Sequence, residues 1–299
     1  MILSSTDHIV IEEHKEPINA VAWSPDGKYF VSAARDKALI LWNAENLEDR
    51  RVIGIKGESK LLSWAPNSTL LAIVVDDIKI CVYDVGLRGI TAELVGHTDK
   101  ITAISWDPRS EKIVSSSYDK TTKIWVVKDE DCVQTLRGHL GAVLTADWDK
   151  KKGIYIATGG SDRNVFVWFT GQWSIVSRLR GHLGPIISAH WNPNYDILAS
   201  VCEGGIIRFW KCATWKCVKA IRCPTKIISM KWSPNGEYIA AACEDGVVRV
   251  WNLEGELIKE LRGHVGSVSA IDWSHDSKKI LSGGQDRTIR IWSLDQDTP

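Results

Sequence analysis

No run of eighteen apolar residues occurs in this sequence, so nothing in it reads as a helical membrane span. Charge bias is missing too: 37 Lys and Arg balance 37 Asp and Glu, which removes the bulk attraction that nucleic acid or an anionic membrane would exert. The longest basic run, Lys150-Lys151-Lys152, suits a solvated turn better than a binding patch. The opening MILSSTDHIVIEEHKE has no basic stretch ahead of an apolar core and turns acidic early, unlike a secretory signal. Seven cysteines, odd in number and scattered, fit free thiols in a reducing compartment, so a cytoplasmic location is expected, with the nucleus also compatible. The closest pair, Cys212 and Cys217, has no His-rich companion, and no metal or cofactor is expected. Phe is scarce at four, and no apolar period of 3.6 residues is sustained, which leaves helix without a foothold.

What the chain does have is tryptophan, fifteen of them, and their spacing is ordered. One set falls at Trp23, Trp64, Trp106, Trp148, Trp191, Trp232 and Trp273, in steps of 41, 42, 42, 43, 41 and 41. A second set falls at Trp42, Trp125, Trp168, Trp210, Trp251 and Trp292, with Tyr83 in register at the gap. Only Trp173 and Trp215 lie outside both sets; they sit in the connection after a third strand, where packing is expected. Seven copies near 42 residues mean a repeat architecture. Within the copy at 97–138, ITAISW (101–106) alternates as a strand and Asp107-Pro108 opens a turn. KIVSSS is a second strand, Tyr118-Asp119-Lys120 a tight turn, TTKIWV a third strand and CVQTL a fourth. Short strands with turns every 8–12 residues predict an all-β fold of four-stranded antiparallel units.

The copy length, the Gly-His pairs at 96–97, 138–139, 181–182 and 263–264, and the closing ILW, KIW, VFVW, RFW, VRVW and IRIW resemble the WD-repeat family. The resemblance covers nearly the whole of 1–299 and implies a single seven-bladed β-propeller. Its repeats run at about 14–54, 55–96, 97–138, 139–181, 182–222, 223–263 and 264–294. The last copy has no fourth strand after Trp292, whereas residues 7–13 form a spare one. The resemblance implies that this N-terminal strand pairs with the last blade, closing the ring and removing an unpaired edge.

His, Ser or Thr, and Asp recur in register, which raises and then dismisses a catalytic triad. The sets are His14, Ser32, Asp36 and Trp42; His97, Ser115, Asp119 and Trp125; His139, Thr158, Asp162 and Trp168; and His264, Ser282, Asp286 and Trp292. An enzyme needs one nucleophile in one cleft, and four equivalent sets serve no reaction. In the WD-repeat pattern these side chains form a structural hydrogen-bond chain from Asp through His and Ser or Thr to the indole N–H, which needs an acceptor when buried. Copy 2 replaces the set with Ile55, Ile73 and Tyr83, keeping Asp77. Copy 5 keeps His182, Ser200 and Trp210 but has Gly204 for Asp, so Glu203 or water is expected to serve His182. Copy 6 has Cys223 and Ala241 with Asp245 and Trp251.

The family's recurrent contact positions are the residue before the structural Asp and those three and five after the His. Carried over, the first class includes Arg35, Tyr118, Ser161, Glu203, Glu244 and Gln285, and the second includes Leu144, Ile187 and Ile228. An apolar floor from Tyr118, Leu144, Ile187 and Ile228 with carboxylates at Glu203 and Glu244 suits a peptide bearing an apolar anchor and a Lys or Arg. The expected function is a non-enzymatic protein-binding scaffold, a monomer within a multiprotein hetero-complex, with no membrane partner. Two rivals are RNA binding in a ribonucleoprotein assembly and an enzyme with a central-channel site. The first needs clustered cations and stacking aromatics, and Tyr118 is the sole aromatic among the carried positions. The second needs one odd convergent polar constellation, which the repeated pattern does not contain.

Overall fold

A computed structural model describes residues 2–4 and 8–294, and every regular element among them is a β-strand. Blade 1 is built of Ile18–Trp23, Tyr29–Ala34, Leu39–Asn43 and Arg50–Val52; blade 2 of Ser59–Trp64, Leu70–Val75, Lys79–Asp84 and Gly89–Val95. Blade 3 holds Ile101–Trp106, Lys112–Ser117, Thr121–Val126 and Asp131–Arg137, and blade 4 holds Val143–Trp148, Tyr155–Gly160, Val165–Phe169 and Ser174–Leu179. In blade 5 the strands are Ile186–Trp191, Ile197–Cys202, Ile206–Lys211 and Lys216–Arg222. Blade 6 comprises Ile227–Trp232, Tyr238–Cys243, Val247–Asn252 and Leu257–Arg262. Blade 7 takes Val268–Trp273, Lys279–Gly284 and Ile289–Ser293 from the C-terminal region and His8–Ile11 and Ile2–Ser4 from the N-terminal one. These antiparallel sheets make an all-β, seven-bladed propeller.

The chain falls into two compact units, residues 1–62 with 228–299 and residues 63–227. The first contains blades 6, 7 and 1, and the second blades 3, 4 and 5 with most of blade 2. Within each unit the core lies between successive sheets. Ile11, Ile18, Phe30, Trp42, Leu281 and Ile289 form one such layer, and Val165, Leu179, Ile186, Trp191, Leu198 and Trp210 another. The second strand of a blade is covered on both faces, so LLAIVV and YIAAAC are buried almost end to end, and even Ser115, Ser116 and Ser117 have no exposed surface. Outer strands instead alternate, as in SIVSRL, where one face meets solvent. A register shift recurs just after the first residue of the inner strand (Ile18/Ala20, Ile101/Ala103, Val143/Thr145), and such bulges bend a strand and re-aim its side chains.

His8–Ile11 pairs antiparallel with the third strand of blade 7, His8 opposite Trp292 and Ile11 opposite Ile289, which supplies the fourth strand that the last copy lacks. The His8 ring stacks on Trp292 with centroids 4.5 Å apart, and Arg290 Nη1 donates to His8 Nε2 at 2.8 Å. A fifth strand, Ile2–Ser4, pairs with His8–Ile11 and adds to the expected four. Its three residues carry too little pattern for a sequence reading. Asp7 of the expected closing segment, like residues 295–299, lies outside the described residues.

Candidate functional site

In four blades the tight turn between second and third strands places an Asp beside the loop that enters the blade, and the two are joined through buried side chains. In blade 1, His14 Nδ1–H donates to Asp36 (3.1 and 3.2 Å), Ser32 Oγ donates to His14 Nε2 at 2.7 Å, and Trp42 Nε1 donates to Ser32 Oγ at 2.9 Å. In blade 3 the corresponding separations are 2.6 Å from His97 to Asp119, 2.7 Å from Ser115 to His97 and 2.8 Å from Trp125 to Ser115. Blade 4 joins His139 to Asp162 at 2.9 Å, with Thr158 2.9 Å from both His139 and Trp168. Blade 7 joins His264 to Asp286 at 3.0 Å, with Ser282 2.7 Å from both His264 and Trp292. The residue after each His donates its N–H to the same carboxylate, Lys15 to Asp36 and Leu140 to Asp162 among them.

Burial alone would raise the Asp162 carboxyl. The His139 hydrogen bond and charge, with the Leu140 and Asn164 N–H groups, outweigh it and hold Asp162 down to about 2. Burial pushes the His14 and His97 imidazoles below their ordinary value despite their Asp partners. A serine whose hydroxyl already serves imidazole and indole, with no exposed surface, is not an available nucleophile.

The incomplete copies are repaired unequally. In blade 2, Ile73 (0% exposed) and Tyr83 (4%) stand at the Ser and Trp positions and Ile55 at that of His, so imidazole, hydroxyl and indole are lost together and none strands another. In blade 6, Arg249 takes over Asp245: Nη1 and Nη2 donate at 3.0 and 2.6 Å, while Nε donates to Glu260 at 2.8 Å. Asp245 raises the Arg249 guanidinium further still, against the effect of burial. In blade 5, Ser200 Oγ sits 2.8 Å from both His182 Nε2 and Trp210 Nε1, but His182 Nδ1 is buried with no partner among the described residues. Of the two acceptors expected for it, Glu203 or water, Glu203 does not reach it; its carboxylate accepts from Lys226 at 3.3 Å. Burial, then the charge of Arg208, push His182 down to about 4.

A backbone bond repeats beside each network and brings the two classes of candidate contact residue together. The residue before the Asp donates its N–H to the carbonyl three after the His: Arg35 to Pro17, Tyr118 to Lys100, Ser161 to Ala142, Glu203 to Pro185 and Gln285 to Ser267, at 2.9–3.0 Å. In the second unit Tyr118, Ser161 and Glu203 are exposed while Leu144 and Ile187 are half-buried. In the first unit Arg35, Ile228, Glu244 and Gln285 are exposed. Sequence reasoning overlooked the residue directly after the His, where Leu140, Leu183 and Val265 are 85%, 81% and 78% exposed. The signal was an apolar residue following Gly-His in three copies.

At the other end of the strands of the second unit is a constellation absent from the repeat pattern. Ser105 Oγ donates to Asp147 Oδ1 at 2.7 Å, Trp191 N–H donates to Asp147 Oδ2 at 3.0 Å, and His190 Nδ1 lies 3.5 Å from that oxygen. Lys150 Nζ donates to Ser105 Oγ at 2.8 Å and to the Trp106 carbonyl. Burial would raise the Asp147 carboxyl, but the bond and charge of His190, then Lys150 and Ser105, outweigh it and hold Asp147 well below the usual carboxylate range. With its carboxyl held this low Asp147 is a poor base, and Ser105 Oγ already accepts from an ammonium, so the cluster reads as a brace across three blades. A cleft of about 300 Å³ lies at the same end, lined by Arg109, Lys152, Trp148 and Trp173 among others. Trp173 packs edge-on against Trp148, and Trp215 against Tyr155 and Trp191. Among the described residues, no group of three or more His, Cys, Asp or Glu is placed to hold a metal, and no helix is long and apolar enough to cross a membrane.

A propeller of seven blades, four of them riveted by Asp–His–Ser/Thr–Trp networks, defines a WD-repeat protein. The description "WD domain, G-beta repeat" matches residues 5–43, 89–126, 130–168, 173–211, 215–252 and 255–293, and the chain belongs to this WD40 family. The longest unmatched interval, 44–88, holds most of the copy in which the network is lost. Over 143 residues the chain is 35% identical to Ribosomal RNA-processing protein 9 of Saccharomyces cerevisiae, covering 47% of this chain and 25% of that protein. It is 26% identical over 164 residues to Cell division cycle 20.1, cofactor of APC complex, of Arabidopsis thaliana, covering 52% and 36%. Ribosome biogenesis protein WDR12 homolog of Trichoplax adhaerens is 26% identical over 161 residues, covering 52% and 37%. The chain thus spans between a quarter and just over a third of the length of these relatives.

Proposed function

We propose that this chain is a non-enzymatic scaffold that docks a peptide or subunit of a multiprotein assembly on the loops carrying the structural His and the turns carrying the structural Asp. The observation behind this reading is the repeated backbone bond that sets two variable side chains side by side in blade after blade, on loops held from beneath by buried networks. Rigid presentation lowers the ordering cost of binding. Leu140 and Leu183 supply apolar knobs on the second unit; on the first, Val265 supplies an apolar knob and Glu244 an exposed carboxylate suited to a Lys or Arg. The names of the relatives, an rRNA-processing protein, a ribosome biogenesis protein and a cofactor of a complex, favour work inside assemblies. The two ribosome-related names favour the nucleus over the cytoplasm.

Affinity capture with mass spectrometry tests this, comparing the wild type with Leu140→Asp/Leu183→Asp, with Glu244→Lys, and with Arg109→Ala at the opposite end of the strands. Partners lost with the loop variants and retained with Arg109→Ala support the reading. Partners retained by all three overturn it. Shifted mobility of single-stranded RNA with the chain alone would instead favour the ribonucleoprotein alternative.

A further inference from the structure

In the four complete networks the carboxylate accepts three kinds of N–H. One is the imidazole Nδ1–H. The second comes from the residue after the His: Lys15, Thr98, Leu140 or Val265, at 2.8–3.2 Å. The third comes from the residue two beyond the Asp: Ala38, Thr121, Asn164 or Thr288, at 2.9–3.1 Å. Blade 5 keeps the same turn bonds, Glu203 N–H to the Pro185 carbonyl and Gly205 N–H to the Cys202 carbonyl, both at 2.9 Å, with Gly204 at the Asp position, so the corresponding donors are His182 Nδ1–H and the N–H groups of Leu183 and Ile206. Ser200 Oγ accepts from Trp210 and donates to His182 Nε2, which leaves the imidazole proton on Nδ1, buried in a residue only 6% exposed and without a partner among the described residues. Such a donor costs free energy that any acceptor reaching it recovers.

The surroundings admit an acceptor. A Cβ at Gly204 would come no nearer than 3.9 Å to any neighbour, Cys202 Sγ, and one at Gly184 would also find open space to 3.9 Å. Gly204 itself is exposed. The nearby acid, Glu203, is turned to Lys226. Arg208, whose Nη2 donates to the Gly181 carbonyl at 3.0 Å, adds positive charge beside His182, and Leu183 stands 81% exposed next to it. We propose that blade 5 accepts the carboxylate of an Asp or Glu side chain from a docked polypeptide, which lies against Leu183 and completes the network that Gly204 leaves short. The inference rests on the docking reading above and adds the chemistry of one contact. A carboxylate accepting from these N–H groups forms charge-assisted bonds, and its arrival would also stabilise the fold by mass action.

The test uses the full chain and blocked amino acids as probes. N-acetyl-aspartate N-methylamide and its glutamate counterpart are titrated against blocked asparagine, N-acetylglycine and acetate, with the Leu183 and Ile206 amide resonances and the His182 side-chain nitrogens as readout. Saturable shifts with blocked Asp or Glu in the range of roughly 10–100 mM, and none with blocked Asn, are expected. Gly204→Asp, which supplies its own carboxylate, should melt about 2 °C or more above wild type and lose the response. His182→Phe should weaken the response at least fivefold and covers the case in which Gly204→Asp does not fold. No shift with blocked Asp or Glu in the wild type overturns the proposal, as does a response confined to N-acetylglycine or acetate, or one unchanged in either variant. Partner capture lost with Leu140→Asp/Leu183→Asp but no carboxylate response would overturn this inference and leave the docking reading standing.

Discussion

Replacing Ser282 with Ala removes one oxygen from the centre of the blade 7 network. That oxygen has no exposed surface and lies 2.7 Å from both His264 Nε2 and Trp292 Nε1. The indole N–H can only donate, and in a residue 2% exposed it loses its acceptor outright; His264, 8% exposed, loses the donor that fixed its tautomer. A net hydrogen bond is worth about 1 kcal/mol, but each stranded buried group costs about 1–3 kcal/mol, so the loss should be about 2–4 kcal/mol. Urea unfolding would register it as a lower midpoint at unchanged slope. Because the three side chains act together, His264→Leu should cost less in the Ser282→Ala background than in the wild type, with a coupling of about 0.5–3 kcal/mol. A loss below about 0.5 kcal/mol, or strictly additive effects, would refute the claim that these residues are fasteners of the fold.

Arg249→Ala removes a guanidinium that is 3% exposed from Asp245 and Glu260. The carboxylates are 30% exposed and can turn to water, so a loss of about 2–3 kcal/mol is expected in the same unfolding assay, below the full cost of breaking a buried pair. Acid should destabilise the protein in two stages. His182 falls from about 6.5 unfolded to about 4 folded, so the unfolded chain binds more protons and stability drops as pH falls through that window; His182→Phe should flatten this limb. Asp162, held at about 2, contributes stability that is present above its unfolded value of 3.8 and lost as pH falls toward 2, which melting curves between pH 7 and pH 2 would trace. Deleting residues 1–13 strips the outer strands from Ile289–Ser293 and exposes what Ile11 buries, and should lower the melting temperature by at least about 5 °C. A truncated chain that melts with the full one would contradict the closing role of that strand.

The architecture was legible because it is written seven times: the Trp spacing fixed the copy length, and each copy carries its own turn and strand signals. Closure through His8–Ile11 was legible from a missing fourth strand at one end and a spare at the other. What the pattern hid lies where side chains from different copies meet. Arg249 stands two places before Trp251, where other copies carry Ile40, Lys123, Phe166, Arg208 and Arg290, and nothing in the sequence says which of these reaches an Asp. The Ser105–Asp147–Lys150–His190 brace joins residues 42–45 positions apart, so no single copy displays it. Likewise, Glu203 looked available to His182 until Lys226, from the following copy, was seen to hold it.

The pairing of His8–Ile11 with Ile289–Ser293 also sets a timetable. The His8–Arg290 contact spans 282 positions, so during synthesis His8–Ile11 waits for Ile289–Ser293 before it can join the sheet of blade 7. Until then blade 7 cannot be completed and its edge is open to other chains, while blades 1 to 6 have all their strands in hand. Nascent molecules are therefore most exposed to mispairing until Ile289–Ser293 has emerged, at the one blade whose parts are furthest apart in time.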